Sequence, residues 1–291
     1  MRIALRVWPA LMCMITASTV VYQGVQSPAL EPAEIVRRSV EVNTRDWKQL
    51  PDYDYFVRER DFGGTKTYLS RMILGSRYNK LVAVNDLPLS PQEAGREKQR
   101  YENELSARQK ESPERRRERI DKFQKDAERD RFFIAQLGEA FAFTLVKTDH
   151  IAGRPVYVLS AKPRHEYRPP NDQAKALTGM QGTLWIDAAD FHWVKVHAQV
   201  VHPVNIEGFV ARIEKGTHFE LDQIRITDEL WLPSRFLMES HAKVFLIFPH
   251  SNKEEETYSG YRKNASAAAN ATGDQEVSRR QESVYLPPRN R

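Results

Sequence analysis

The chain has 291 residues, of which 41% are hydrophobic and 29% charged, a balance that can bury a core and excludes a wholly disordered chain. A lone cysteine excludes a disulfide framework and a structural zinc site built on thiolates. The formal net charge of +5 permits an anionic partner without requiring one, and a mean hydropathy of -0.61 means that the apolar residues are gathered into particular segments.

Residues 1–29 read as an export signal. Two arginines stand within 1–6, and no charge follows over 7–30. Residues 7–15 are apolar apart from Pro9, and the small or polar Thr16, Ala17, Ser18 and Thr19 come next. This basic, apolar, small order is that of a secretory signal peptide, with candidate cleavage points after Ser18 and after Ala29. The alternative is an uncleaved membrane anchor, although the apolar run to Tyr22 is short of the roughly 20 residues a span requires. Cys13 follows Met12 rather than the small residue that lipid attachment requires, so it belongs to the signal.

The spacing of Ala33, Ile35, Val36, Val40 and Val42 predicts a helix over 31–47, with Arg37, Arg38 and Glu41 opposite and Pro51 ending it. Residues 53–60 and 66–74 alternate on either side of Gly63 and Gly64, which predicts a hairpin, and a turn at 75–77 leads to a third strand over 78–84. The composition then changes. Residues 93–131 hold 13 basic and 11 acidic side chains among 39, with Pro113 between two stretches of good helix formers. Two readings stand: an arm that binds a partner, or a solvated helical hairpin held by neighbouring opposite charges. The near balance of signs argues against a polyanion site, so nucleic acid is not an expected partner.

From 141 onward alternation dominates: Phe141, Phe143 and Leu145, then 156–161, 182–187, and Val194, Val196, Ala198 and Val200. Phe209, Ala211 and Ile213 follow, then Phe219 and Leu221, Phe236 and Met238, and 242–248. Gly153 and the Ala188-Ala189-Asp190 run mark turns, and prolines at 163, 169 and 170 mark a loop. This describes an antiparallel meander with one wet face. Its apolar face must be hidden, and the N-terminal helix and the charged helices are what is available to cover it. The expected fold class is therefore α+β: a curved antiparallel β-sheet, an incomplete β-barrel, with helices covering the open side and a charged helical insertion at 88–137. The half-barrel domain is expected over 30–262, and 263–291, with little to bury, as a disordered tail.

No constellation for catalysis stands out: there is no H-E-x-x-H, no G-x-S-x-G and no phosphate-cradling glycine loop. His192, His197 and His202 recur at spacing five, which puts His192 and His197 on opposite strand faces and excludes a shared metal. Asp187 and Asp190 bracket a turn, where carboxylates bond backbone amides, so they read as turn chemistry before acid–base or calcium chemistry. The aromatics point further. Trp185, Trp193, Trp231 and Phe248 join the strand phenylalanines; in a closed core they only pack, whereas on a partly open sheet they line a greasy cleft. The candidate cavity residues are Phe141, Phe143, Phe209, Phe219, Leu221, Phe236 and Met238. No cofactor, metal or catalytic residue is expected.

The order of Val156-Tyr157-Val158-Leu159, Gly182-Thr183-Leu184-Trp185-Ile186-Asp187, Val194-Lys195-Val196, Gly216-Thr217-His218-Phe219-Glu220 and Trp231-Leu232-Pro233-Ser234 resembles the outer-membrane lipoprotein-sorting (LolA/LolB-like) superfamily. The resemblance covers roughly 140–262 and, more loosely, 31–84. It implies an incomplete antiparallel barrel with a helical lid, located in the periplasm. In the carrier branch a hydrophobic cavity shields lipoprotein acyl chains, and related folds serve as sensor domains of the MucB/RseB group. The charged helices at 90–131 and the tail after 263 depart from the carriers, and no carrier residue aligns with a position here. The function this implies is non-enzymatic: an exported periplasmic protein that binds or carries lipid or lipidated protein. The alternative is an envelope interaction scaffold or sensor whose charged helices contact a partner protein.

Overall fold

A computed structural model describes residues 30–206, 211–244 and 248–264. The expected signal segment, Phe209 and residues 265–291 of the expected tail lie outside the described residues. In chain order the elements are α1 (Pro32–Gln49), β1 (Tyr53–Asp61), β2 (Gly64–Ile73), β3 (Ser76–Val84), β4 (Leu87–Pro88), α2 (Pro91–Lys110), α3 (Pro113–Ala140), β5 (Phe141–Ile151), β6 (Arg154–Pro163), β7 (Met180–Asp187), β8 (Trp193–Val200), β9 (Val204–Ile206), β10 (Ala211–Ile213), β11 (His218–Arg225), β12 (Trp231–Val244) and β13 (Phe248–Lys263). Short 3-10 turns occupy Leu50–Asp52 and Gln173–Gly179.

The strands make one antiparallel sheet in the order β4-β3-β2-β1-β13-β12-β11-β8-β7-β6-β5, with β9 and β10 beside β12. Among the described residues its two ends do not pair, so the barrel is incomplete, as the alternation predicts. The sequence pattern does not predict β13. This 16-residue strand lies between β1 and β12, with Val57 opposite Tyr258 and Phe236 opposite Glu256. It joins the N-terminal hairpins to the later meander. Its periodicity is hidden because Glu254, Glu255 and Glu256 follow one another, so inward and outward positions look equally polar. Order also extends into the expected tail: Lys263 pairs with Tyr53, and the Asn264 amide donates to Asp52 O at 2.7 Å.

The sheet is bent around α3. Ile120 packs on the β2–β3 turn, where a Cβ on Gly75 (φ 92°) would stand 2.7 Å from the Ile120 Cδ1. The C-terminal end of α3 meets the opposite edge, where Gln136 accepts from the Tyr167 hydroxyl and Arg164 N–H donates to Ala140 O. The helix between these contacts is about 30 Å long, whereas the nine strand spacings from β3 to β5 would span about 43 Å if flat. The edges are therefore drawn together. Edge strand β5 is blunted by a bulge at Val146 and by the exposed Lys147. Among the described residues no helix is long and apolar enough to cross a membrane.

The charged helices are docked. Ser90 and Glu93 form a reciprocal capping box at the start of α2, and Pro113 starts α3. Glu97, buried, accepts from the Leu81 amide at 3.1 Å and from Arg100 at 2.7 Å. Buried Arg108 donates to the carbonyls of Ile73 (2.8 Å) and Ser76 (3.0 Å), and Arg119 reaches Ser76 Oγ and Leu74 O. The helical hairpin is thus held mainly by ionic side chains bonding turn backbone. Arg108→Ala is expected to lower stability to urea by about 2 kcal/mol, because two buried carbonyls lose a charged donor. Lys98→Ala, at an exposed pair, should change it by less than about 0.5 kcal/mol.

Candidate functional site

Strand registers decide which residues share a face. One row runs Phe143, Ala161, Gly182, Ala198, Phe219, Met238 and Glu254 across β5, β6, β7, β8, β11, β12 and β13. The next runs Leu145, Leu159, Leu184, Val196, Leu221, Phe236, Glu256 and then Glu59 on β1. This inner face carries all six described candidate cavity residues, and α1 lies over it.

The six meet different surroundings. Phe141 (4% exposed) and Leu221 (7%) are buried in the core. Phe143, half-buried, lines a cleft of about 370 Å³ with Ala33, Val36 and Val40 of α1 and Gly138 of α3; Arg37, Glu41 and Arg164 supply its polar lining. Phe219 and Phe236 are half-buried with ring centres 6.4 Å apart, and Met238 beside them is 41% exposed. Beyond Met238 the face turns acidic. Burial pushes the Glu256 carboxyl up, and burial together with Glu256 and Glu254 pushes up that of Glu59.

The face of α1 that meets the sheet differs from the expected one. Ile35 and Val36 are buried, but so are Ser39, Asn43 and Asp46, whereas Val40 and Val42 are only half-buried. Each polar group has a task. Ser39 Oγ accepts from the Trp193 indole N–H at 3.2 Å, and Asn43 Nδ2 donates to Ser39 O at 2.7 Å. Asp46 Oδ2 accepts from the Trp231 amide at 2.9 Å. The apolar periodicity of the helix missed this side because polar residues at core positions look like solvent positions.

Asp46 opens a buried ionic chain. Its Oδ2 stands 2.9 Å from His192 Nε2, and His192 Nδ1 stands 2.9 Å from Asp190 Oδ1. Arg154 bridges Asp190 (2.9 Å) and Asp187 (2.5 Å). Asp46 and Asp187 are fully buried and His192 nearly so. The His192 ring stacks on Trp231, centroids 5.5 Å apart and planes 18° from parallel, and Arg154 lies 5.6 Å over the same indole. The turn reading of Asp187 holds, since its Oδ1 accepts from the amides of Ala189 and Asp190. His197 lies on the outer face, opposite Glu220, so the exclusion of a metal shared with His192 holds as well. Missing from the sequence reading was Asp46, about 145 positions away, which no local spacing links to His192.

Burial alone would raise the Asp187 carboxyl, but Arg154 and the two turn amides outweigh it and hold it below the usual carboxylate range. A depressed carboxylate contributes stability above its unfolded value of about 3.9, and loses it as pH falls through the lower folded value. Asp187→Asn is therefore expected to be less stable than the native protein near neutral pH and to show a flatter loss of stability below about pH 4 in urea titrations.

No family model matches the sequence, and no curated protein matches it. Among solved structures the chain is similar to an outer membrane lipoprotein-sorting protein domain from Vibrio parahaemolyticus, at 14% identity over 83% of this chain and 97% of that one, with a TM-score of 0.32. It is similar to a LolA superfamily protein from Nitrosomonas europaea, at 11% identity over 85% and 100% of the two chains, TM-score 0.32. It is also similar to MucB in its complex with MucA(peri), at 11% identity over 81% and 100%, TM-score 0.23.

Proposed function

We propose that this is an exported, non-enzymatic envelope protein that holds an acyl chain, of a lipid or a lipidated protein, against the apolar part of its inner face. The observation that carries this reading is the cleft between α1 and β5, with Phe143 in its wall. The strand registers set Phe143 on the same face as Phe219, Phe236 and the exposed Met238. Burying a methylene there contributes about 0.8 kcal/mol, so a few turns of apolar contact suffice and no catalytic group is needed. The basic-apolar-small order of residues 1–29 supports export, and the resemblance of the strand motifs supports the lipoprotein-sorting type.

A second reading, an envelope scaffold, is supported by the docked hairpin. With Glu97, Arg108 and Arg119 turned to the sheet, Lys98, Arg115 and Arg117 remain exposed on a helix pair fixed in place, as a partner-binding surface requires.

The purified mature protein is expected to bind a fluorescent fatty-acid probe. Phe143→Asp and Phe219→Asp should each weaken that binding roughly tenfold or more, while far-ultraviolet circular dichroism stays native. Reversing the charges of Lys98, Arg115 and Arg117 should leave probe binding unchanged. Binding that is absent in the native protein, or unaltered in both phenylalanine variants, overturns the acyl-chain reading.

A further inference from the structure

One wall of the cleft is the first half of α1, from Ala33 to Glu41, which faces Gly138, Phe143 and Arg164; the second half of that helix is fastened to the sheet by polar contacts. Asp46 is the fastening nearest its end: Arg45 of the same helix holds its Oδ1, and across to the β7–β8 turn its Oδ2 faces a histidine. The charged and titratable groups around that histidine come from three directions. From α1 there is Asp46, with Arg45 3.2 Å from its carboxylate; from the β7–β8 turn, Asp190 and Asp187; from β6, Arg154. On β12 the indole of Trp231 covers the ring face.

We propose that His192 is a proton-operated latch: charged, it ties α1 to the β7–β8 turn and fixes the wall of the cleft; neutral, it lets the C-terminal half of α1 loosen. The geometry sets the ring between two carboxylates: Nε2 stands 2.9 Å from Asp46 and Nδ1 2.9 Å from Asp190, with neither nitrogen aligned for a hydrogen bond. An imidazolium is held to both by charge. A neutral imidazole offers no charge to either, and Arg154 keeps its pairing with Asp190 and Asp187, so the link that weakens is the one between α1 and the turn. Asp46 has no access to water that could replace it.

Burial disfavours the charged ring, but the two carboxylates outweigh it, and His192 titrates above its ordinary value. The stabilising contribution of a raised histidine is fully present below its unfolded value of about 6.5 and is lost as pH rises through the folded one. The latch is therefore closed in mildly acid medium and opens toward alkaline pH. Its consequence for ligand access rests on the acyl-chain reading; the latch itself does not.

The test is hydrogen–deuterium exchange of the full chain, corrected for intrinsic rates, together with nuclear magnetic resonance titration of the His192 ring. From about pH 6 to about pH 9, exchange in the second half of α1 is expected to rise roughly tenfold more than in β6 and β7. His192→Gln, which carries no charge at any pH, should abolish that dependence. If the variant does not fold, the ring titration of the native protein decides: a value at or below that of a free histidine overturns the latch. So does α1 protection that keeps pace with β6 and β7 throughout, or a pH response that survives in His192→Gln. A pH-dependent α1 in a protein that binds no fatty-acid probe keeps the latch and removes only the acyl-chain reading.

Discussion

An antiparallel sheet with two unpaired ends cannot hide its apolar face by itself. Everything distinctive in this fold answers that constraint. The strands bend, α3 reaches from the β2–β3 turn to the start of β5, and α1 lies over the inner face between them. The covering elements are not held by one continuous greasy seam. Arg108 and Arg119 grip turn carbonyls at one edge, while Ser39, Asn43 and Asp46 reach backbone and indole groups nearer the other. Directional bonds of this kind fix where a helix sits, and they leave apolar surface between the points of attachment uncommitted. The cleft beside Phe143 is such a place.

The choice of polar fastenings has an energetic side. A buried ion pair gains little over a well-packed apolar contact, but removing one member strands the other in a dry site. Asp46, His192, Asp190, Arg154 and Asp187 form a chain in which each member depends on the next. Trp231 ties the chain to the fold at large, by giving its amide to Asp46 and its ring to His192 and Arg154. On the latch reading, loss of the His192 proton removes the charge between α1 and the β7–β8 turn, while Arg45 and the Trp231 amide still hold Asp46.

Much of the architecture was legible in the residue pattern. Alternation around Gly63 and Gly64 gave the first hairpin, Phe141–Leu145 and 182–187 gave strands of the meander, and Pro113 divided the charged segment into two helices. Those signals are local, and local physics wrote them. What escaped was set by distant partners. β13 looks polar because its inner positions hold Glu254 and Glu256, which only the pairing with β1 and β12 makes strand-like. The buried side of α1 escaped because Ser39, Asn43 and Asp46 answer groups on β8 and β12 more than a hundred positions later. For the candidate site, alternation was enough to put Phe141, Phe143, Phe219, Leu221, Phe236 and Met238 on one face. It could not say that Phe141 and Leu221 are sealed while Met238 is open, since that depends on where the covering helices come to rest.

The acid residues of β13 and β1 also act as a ruler. Between β5 and β12 the inner face offers five strand spacings, about 24 Å, before Glu254, Glu256 and Glu59 interrupt it. Any greasy guest that lies across the strands is stopped there, because a hydrocarbon gains nothing by sliding onto carboxylates. On the acyl-chain reading the molecule thereby carries a built-in measure of guest length, drawn by the one strand whose polarity made it hardest to recognise.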